Sequence, residues 1–133
     1  DLAAAAAAAD LPAMDANGLA DPLVELSCNR QTGRSPTAWK TLAPRWGFSH
    51  RFFVEEAARL VVAVYDADTG GPDELIGKAV FPLKDIVDFV AVRPITPKMR
   101  VGLQDAEGRP VVGKSGKPAA VMLQMAFCTT LRN

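Results

Sequence analysis

Two short stretches of this 133-residue chain hold eight carboxylates, and six of them, Asp10 and Glu25 aside, are placed to bind a cation. Asp15 and Asp21 lie in the first, which runs from Asp10 to Leu26; Asp66, Asp68, Asp73 and Glu74 lie in the second, from Arg59 to Gly77. Each stretch joins an acidic loop to an apolar strand, so each offers carboxylates at a strand end. Oxygen ligands of this kind suit a hard cation. Calcium takes six to eight of them at ~2.3–2.6 Å in flexible geometry. The spacing fits that chemistry. Between Asp15 and Asp21 stand five residues including Gly18, enough for a loop to curl, and Pro22 fixes the re-entry into the next strand. Asp66 and Asp68 are two apart at the end of an extended run, which predicts one common side. If the two loops converge, their carboxylates repel, and a divalent cation removes that repulsion. The 12-residue pattern of an EF-hand loop is absent.

The elements that must position these residues are short strands. Residues 2–9 are Leu2 and seven alanines; propensity alone says helix, but the strand character of the rest favours a strand. Pro22 to Cys28 alternates, with Val24, Leu26 and Cys28 on one face. Residues 29–36 read as turn, 37–41 as a short strand, and 46–54 as a strand with Trp46, Phe48, His50, Phe52 and Val54 on one parity. Arg59 to Asp66 is the richest in β-branched residues. Leu75 to Leu83 follows, then a short helix over 85–92 and a loop confined by Pro94 and Pro97. A short extended run at 99–103, a glycine- and lysine-rich loop at 105–118 and a closing strand at 119–127 complete the order. Strands every 8–12 residues with turns between predict an all-β antiparallel sandwich of seven to eight strands, in one domain over 1–133.

Composition narrows the function. Lys and Arg total 15, Asp and Glu 15, a balance that argues against nucleic acid as a partner. With the six acids of the two loops set aside, 15 basic residues face 9 acidic ones, so one end is expected to be strongly negative and the remainder mildly positive. No apolar run reaches the ~18 residues of a membrane span. The chain lacks an initial Met and a signal pattern and reads as a piece of a longer protein. Cys28 belongs to a core face and Cys128 to the outward parity, so a disulfide is not expected, and two cysteines with one histidine make no zinc site. His50 shares the parity of Phe48 and Phe52 and is expected to be packed in the core. Trp39 and Trp46 are expected to pack in the core and at a corner. No serine forms a triad with the single histidine, and no enzyme activity is expected.

Four segments, taken in order, resemble a C2 domain. They are Leu11–Leu26 with its D-x-x-G-x-x-D-P loop, Lys40–Trp46 (K-T-L-x-P-x-W), Leu60–Asp68 ending in Y-D-x-D, and Asp73–Leu83 with its L-I-G restart. The resemblance covers nearly the whole chain. It implies a Greek-key β-sandwich that binds Ca²⁺ between loops at one end and peripherally binds anionic phospholipid membranes, in the cytoplasm. It places calcium ligands at Asp15, Asp21, Asp66 and Asp68, with the fifth at Glu74 or its neighbour Asp73. Membrane contact falls to the loop tips, here Met14 and Leu19 in the first loop and Gly70 and Gly71 in the third, which offer little to insert. The basic strand of phosphoinositide-binding members is reduced to a thin patch, Lys40 and Arg51. The alternative implied by these bland tips is a module that docks protein partners or other domains of the parent chain, with or without bound calcium.

Overall fold

The computed structural model describes residues 2–14, 18–52, 59–68, 70–82 and 98–127. Eight strands form among them: β1 (Leu2–Ala9), β2 (Pro22–Cys28), β3 (Gln31–Arg34), β4 (Arg45–Phe52), β5 (Arg59–Asp66), β6 (Glu74–Pro82), β7 (Met99–Gly102) and β8 (Ala120–Phe127). They make two antiparallel sheets of four, ordered β4-β1-β8-β7 and β3-β2-β5-β6. The chain is thus the all-β sandwich the strand spacing predicts. The helix expected at 85–92 lies outside the described residues, as do Cys128 and Asp15.

Alternation drives the packing. In β5, Leu60, Val62 and Val64 are fully buried and Asp66 shares their parity; in β2, Val24, Leu26 and Cys28 do the same. They meet Leu123, Met125 and Phe52 of the other sheet in one apolar cluster. The alanine run is a strand because of its place. β1 lies between β4 and β8 and pairs with both, so its backbone polar groups are matched along both edges, and this outweighs helix propensity. Ala6 and Ala8 are buried, and their small side chains leave room for the larger residues around them.

Two local assignments differ from the sequence reading. Residues 31–34, expected as turn, form β3 against β2, from Glu25↔Arg34 to Cys28↔Gln31. Residues 37–41, expected as strand, are loop. Pro36 lacks an amide, and Ser35 turns its side chain to the backbone: its Oγ accepts the Val24 amide at 2.9 Å and donates to the Pro36 carbonyl at 2.9 Å. The His50 ring fits against Gly33 across the sandwich, where a Cβ would strike it. His50 is half-buried and stands edge-on to Phe52 at 4.8 Å between centroids, which makes it a packing residue.

The register gathers the loops. Ends of β1, β3, β5 and β7 and starts of β2, β4, β6 and β8 lie at one end of the sandwich. The described residues of segments 10–14, 18–21, 35–44, 67–68, 70–73 and 103–119 therefore share that end, and Asp21, Asp66, Asp68, Asp73 and Glu74 converge there.

Candidate functional site

Asp66 is the last residue of β5, on the core-facing parity, with 6% of its surface exposed. Its Oδ1 accepts the Asp21 amide at 2.8 Å. The bond is reciprocated one residue on, where the Ala67 amide donates to the Asp21 carbonyl at 2.9 Å. The Asp21 side chain in turn accepts the Lys40 amide on Oδ1 at 2.8 Å. Three loops are thus tied through two carboxylates by backbone amides alone. Each carboxylate spends one oxygen on this, and the second oxygen has no donor among the described residues.

That arrangement bears on a cation. A buried carboxylate with one hydrogen bond is costly unless something compensates its charge. The Asp66 carboxylate has no arginine or lysine in contact among the described residues. Oxygen donors of this kind fit calcium. Among the described residues, however, no three acidic, histidine or cysteine side chains stand close enough to form a metal site.

The other acids behave differently. The alternation that carries Asp66 inward stops with the strand; Asp68 is exposed and its Oδ1 accepts the Gly70 amide at 2.9 Å. Asp73 has both oxygens engaged. Oδ1 accepts the Asp68 amide at 3.1 Å, and Oδ2 takes the Arg34 guanidinium at 2.9 Å. The Asp68 amide first, and Arg34 second, hold its carboxyl below the ordinary value of 3.8. Glu74 is exposed and is paired directly opposite Asp66 in the β5–β6 ladder, which sets the two on one face.

The expected membrane contacts also divide. Met14 is half-buried, packs against the core, and its amide donates to the Leu19 carbonyl at 3.0 Å. Leu19 is half-buried as well, whereas Gly70 and Gly71 are exposed. Lys40 and Arg51 are not brought together. Lys40 is at the carboxylate end, and Arg51 lies six residues along β4 from Arg45, about 20 Å toward the opposite end. A 560 Å³ groove over the β4–β1 junction, with Ala6, Ala7 and Met122 in its lining, includes none of the acidic residues.

Arg34 and Arg100 were not singled out from the sequence, whereas Lys114 and Lys117 read there as a small basic loop, solvated or in contact with a partner. Arg34 bridges Asp73 and Glu25, the latter at 3.2 Å, and lies over the Tyr65 ring at 5.8 Å. Arg100 pairs with Asp10 at 3.1 Å, and Ser115 donates to the same carboxylate at 3.1 Å. The Lys114 ammonium rests against Gly18, 2.8 Å from where a Cβ would stand. Trp39, expected in the packing, is 60% exposed, while Trp46 is the corner residue, its Nε1 donating to the Pro22 carbonyl at 2.9 Å. These contacts join segments distant in the chain, which no local pattern reveals.

A family model described as C2 domain matches residues 5–97. The chain is 32% identical over 105 residues to multiple C2 and transmembrane domain-containing protein 1 of Mus musculus, covering 77% of this chain and 10% of that protein. It is 39% identical over 105 residues to a C2 and GRAM domain-containing protein of Arabidopsis thaliana, covering 74% and 10%. The chain thus spans about a tenth of the length of these relatives. Among solved structures, the calcium-bound tandem C2 domains of extended synaptotagmin 2 superpose with a TM-score of 0.74 at 18% identity, covering 96% of this chain and 45% of that one. A single C2 domain of plant extended synaptotagmin 1 gives 0.68 at 19% identity, covering 97% and 95%. At these identities the structures establish the fold.

Proposed function

The chain belongs to the C2 domain family, and from that premise we propose that it binds calcium through its acidic loops and thereby brings its parent protein to anionic phospholipid membranes. The observation that carries this reading is the Asp21–Asp66 pair. Asp66 is buried, both carboxylates are fixed by backbone amides, and each keeps an oxygen without a donor among the described residues.

Asp15, Asp21, Asp66 and Asp68 supply oxygens in this reading, with Glu74 as the fifth. Glu74 is preferred to Asp73 because it faces Asp66 across the ladder, whereas Asp73 is occupied by Arg34 and the Asp68 amide. The amide bonds from Asp21 and Lys40 orient the two aspartates in advance, so less freedom is lost on binding. Bound calcium would supply the positive charge that turns this end from repelling anionic headgroups to attracting them.

Thermal melting across a calcium titration tests the first half. A ligand bound only by the folded state stabilises it by about 2.7 kcal/mol at a hundred times its Kd, so Tm should climb with calcium and return with chelator. A Tm indifferent to calcium would sink the metal reading. Co-sedimentation with phosphatidylserine-containing vesicles tests the second half: pelleting in calcium and not in chelator is expected. Calcium binding without pelleting would leave a metal-holding interaction module instead.

A further inference from the structure

Trp39 is the most exposed large apolar side chain among the described residues, at 60%. Its exposure is not that of a loose loop. The Ala38 amide donates to the Pro22 carbonyl, the Lys40 amide to Asp21 Oδ1 and the Thr41 amide to the Ala20 carbonyl, each at 2.8 Å. The backbone on both sides of Trp39 is thus fastened to the 20–22 segment. Lys40 takes φ +53°, a left-handed conformation uncommon outside glycine, and the Asp21 carboxylate holds its amide there. An indole kept in water by this many bonds stands where a partner would meet it.

The charges beside it favour an anionic partner. Lys40, Lys114 and Lys117 are exposed and enter no ion pair among the described residues. Lys40 is bonded through its amide to Asp21, and the Lys114 ammonium rests on Gly18, so both lysines border the 18–21 segment. Val112, 53% exposed, lies two residues before Lys114 in the connection between β7 and β8, which opens at the same end. That connection is tied to the root of the first loop by Ser115, which donates to Asp10, and by Arg100 of β7, which bonds both Asp10 and the Pro118 carbonyl. A tryptophan next to Lys40, at the end of the sandwich that also carries Lys114 and Lys117, suits the headgroup level of a bilayer, where the ring enters the apolar edge, its N–H finds an acceptor and the ammonium groups meet phosphates.

We infer that Trp39, supported by Lys40 and by Val112 and Lys114 of the β7–β8 connection, is the membrane-anchoring element of this domain, and that its ligand is the surface of an anionic phospholipid bilayer. This rests on the membrane reading above and moves the contact to the second loop and the β7–β8 connection, away from the half-buried Met14 and Leu19. It also couples the anchor to the carboxylates, because Asp21 holds the backbone on which Trp39 stands.

The test uses the whole chain, vesicles of phosphatidylcholine and phosphatidylserine, and Trp39→Ala and Trp39→Phe. Calorimetry without lipid should give all three the same calcium affinity, which shows the fold and the carboxylates intact. Vesicle affinity should fall about tenfold in Trp39→Ala and recover in part in Trp39→Phe, in line with the apolar area of a buried aromatic ring. Brominated acyl chains should quench wild-type tryptophan emission and leave that of Trp39→Ala, where Trp46 remains, nearly untouched. Wild-type pelleting matched by Trp39→Ala would overturn the anchor and leave the membrane reading standing. Failure of wild type to pellet would remove that reading and the anchor with it. A blue shift that depends on protein concentration without lipid would assign Trp39 to a contact between copies and overturn the inference.

Discussion

Two kinds of carboxylate stand at the same end of this sandwich. Asp21 and Asp66 are held by backbone amides, with no cationic side chain on them among the described residues. Asp10 and Asp73 each carry an arginine, Arg100 and Arg34. Among the described residues, the amide-held pair keeps its charge uncompensated and one oxygen per group open. The arginine-held pair is neutralised and staples distant segments, joining residues 90 and 39 positions apart. Residue type alone does not separate the two kinds, since all four are aspartates. Only the long-range partners show which are available to a ligand and which already serve the fold.

The largest expected effect follows from that division. Asp66→Asn keeps the acceptor for the Asp21 amide and removes the buried charge. Calcium affinity should fall by at least about tenfold, or ~1.4 kcal/mol, while the metal-free Tm stays equal or rises because an uncompensated buried charge is gone. Asp73→Asn should change calcium affinity by less than about twofold, a shift of a few tenths of a kcal/mol. Calorimetry on both variants decides the matter. Equal losses would place Asp73 among the ligands and erase the distinction between the two kinds.

Much of this end was legible from the chain alone. The β-branched run Leu60–Tyr65 marked a strand, and in the structure its parity carries Asp66 inward. The D-x-x-G-x-x-D-P loop led straight to Asp21 and Pro22, and Gly18 does adopt φ +79°. Period-two reasoning holds only while the strand lasts; Asp68 lies beyond it, exposed, and accepts the Gly70 amide. Trp39 was misplaced for a similar reason. An aromatic in an apparently extended run reads as packed, but Pro36 and Ser35 end the ladder, loop bonds fasten the backbone on either side, and the ring is exposed. Arg34, Arg100 and Lys114 act across loops whose mutual approach depends on register, which composition does not encode. Likewise β3 carries no apolar alternation; it is a strand because β2 offers it an edge.

An intermediate effect is expected where the arginine-held kind meets packing. Gly113 lies so close to the Asp10 carbonyl that a Cβ would strike backbone there. Gly113→Ala must push the β7–β8 connection off the root of the first loop, loosening the contacts of Ser115 and Arg100 with Asp10. A loss of about 1–3 kcal/mol in stability is expected from such overpacking, read by denaturant unfolding. Calcium affinity should change far less than in Asp66→Asn, because Asp21 and Asp66 are tied to each other and to Lys40, not to this connection. A calcium defect as large as the stability defect would show that the staple and the ligand set are one cooperative unit.

The smallest effect is in acid. Arg100 first, then Ser115, and more weakly the charge of Lys117, hold the Asp10 carboxyl below its ordinary value of 3.8. A depressed carboxylate stabilises the fold above its unfolded value and loses that contribution as pH falls through the folded one. The staple should therefore be fully present at neutral and mildly acid pH and should weaken only once pH drops below 3.8. Asp10→Asn removes the charge and with it this dependence. Melting wild type and Asp10→Asn from neutral pH downward should give a constant offset in Tm, wild type higher, that begins to close below that value. An offset that persists unchanged into strong acid would mean Asp10 holds the loop by its hydrogen bonds alone. Asp10 would then share with Asp21 and Asp66 the very character that sets those two apart.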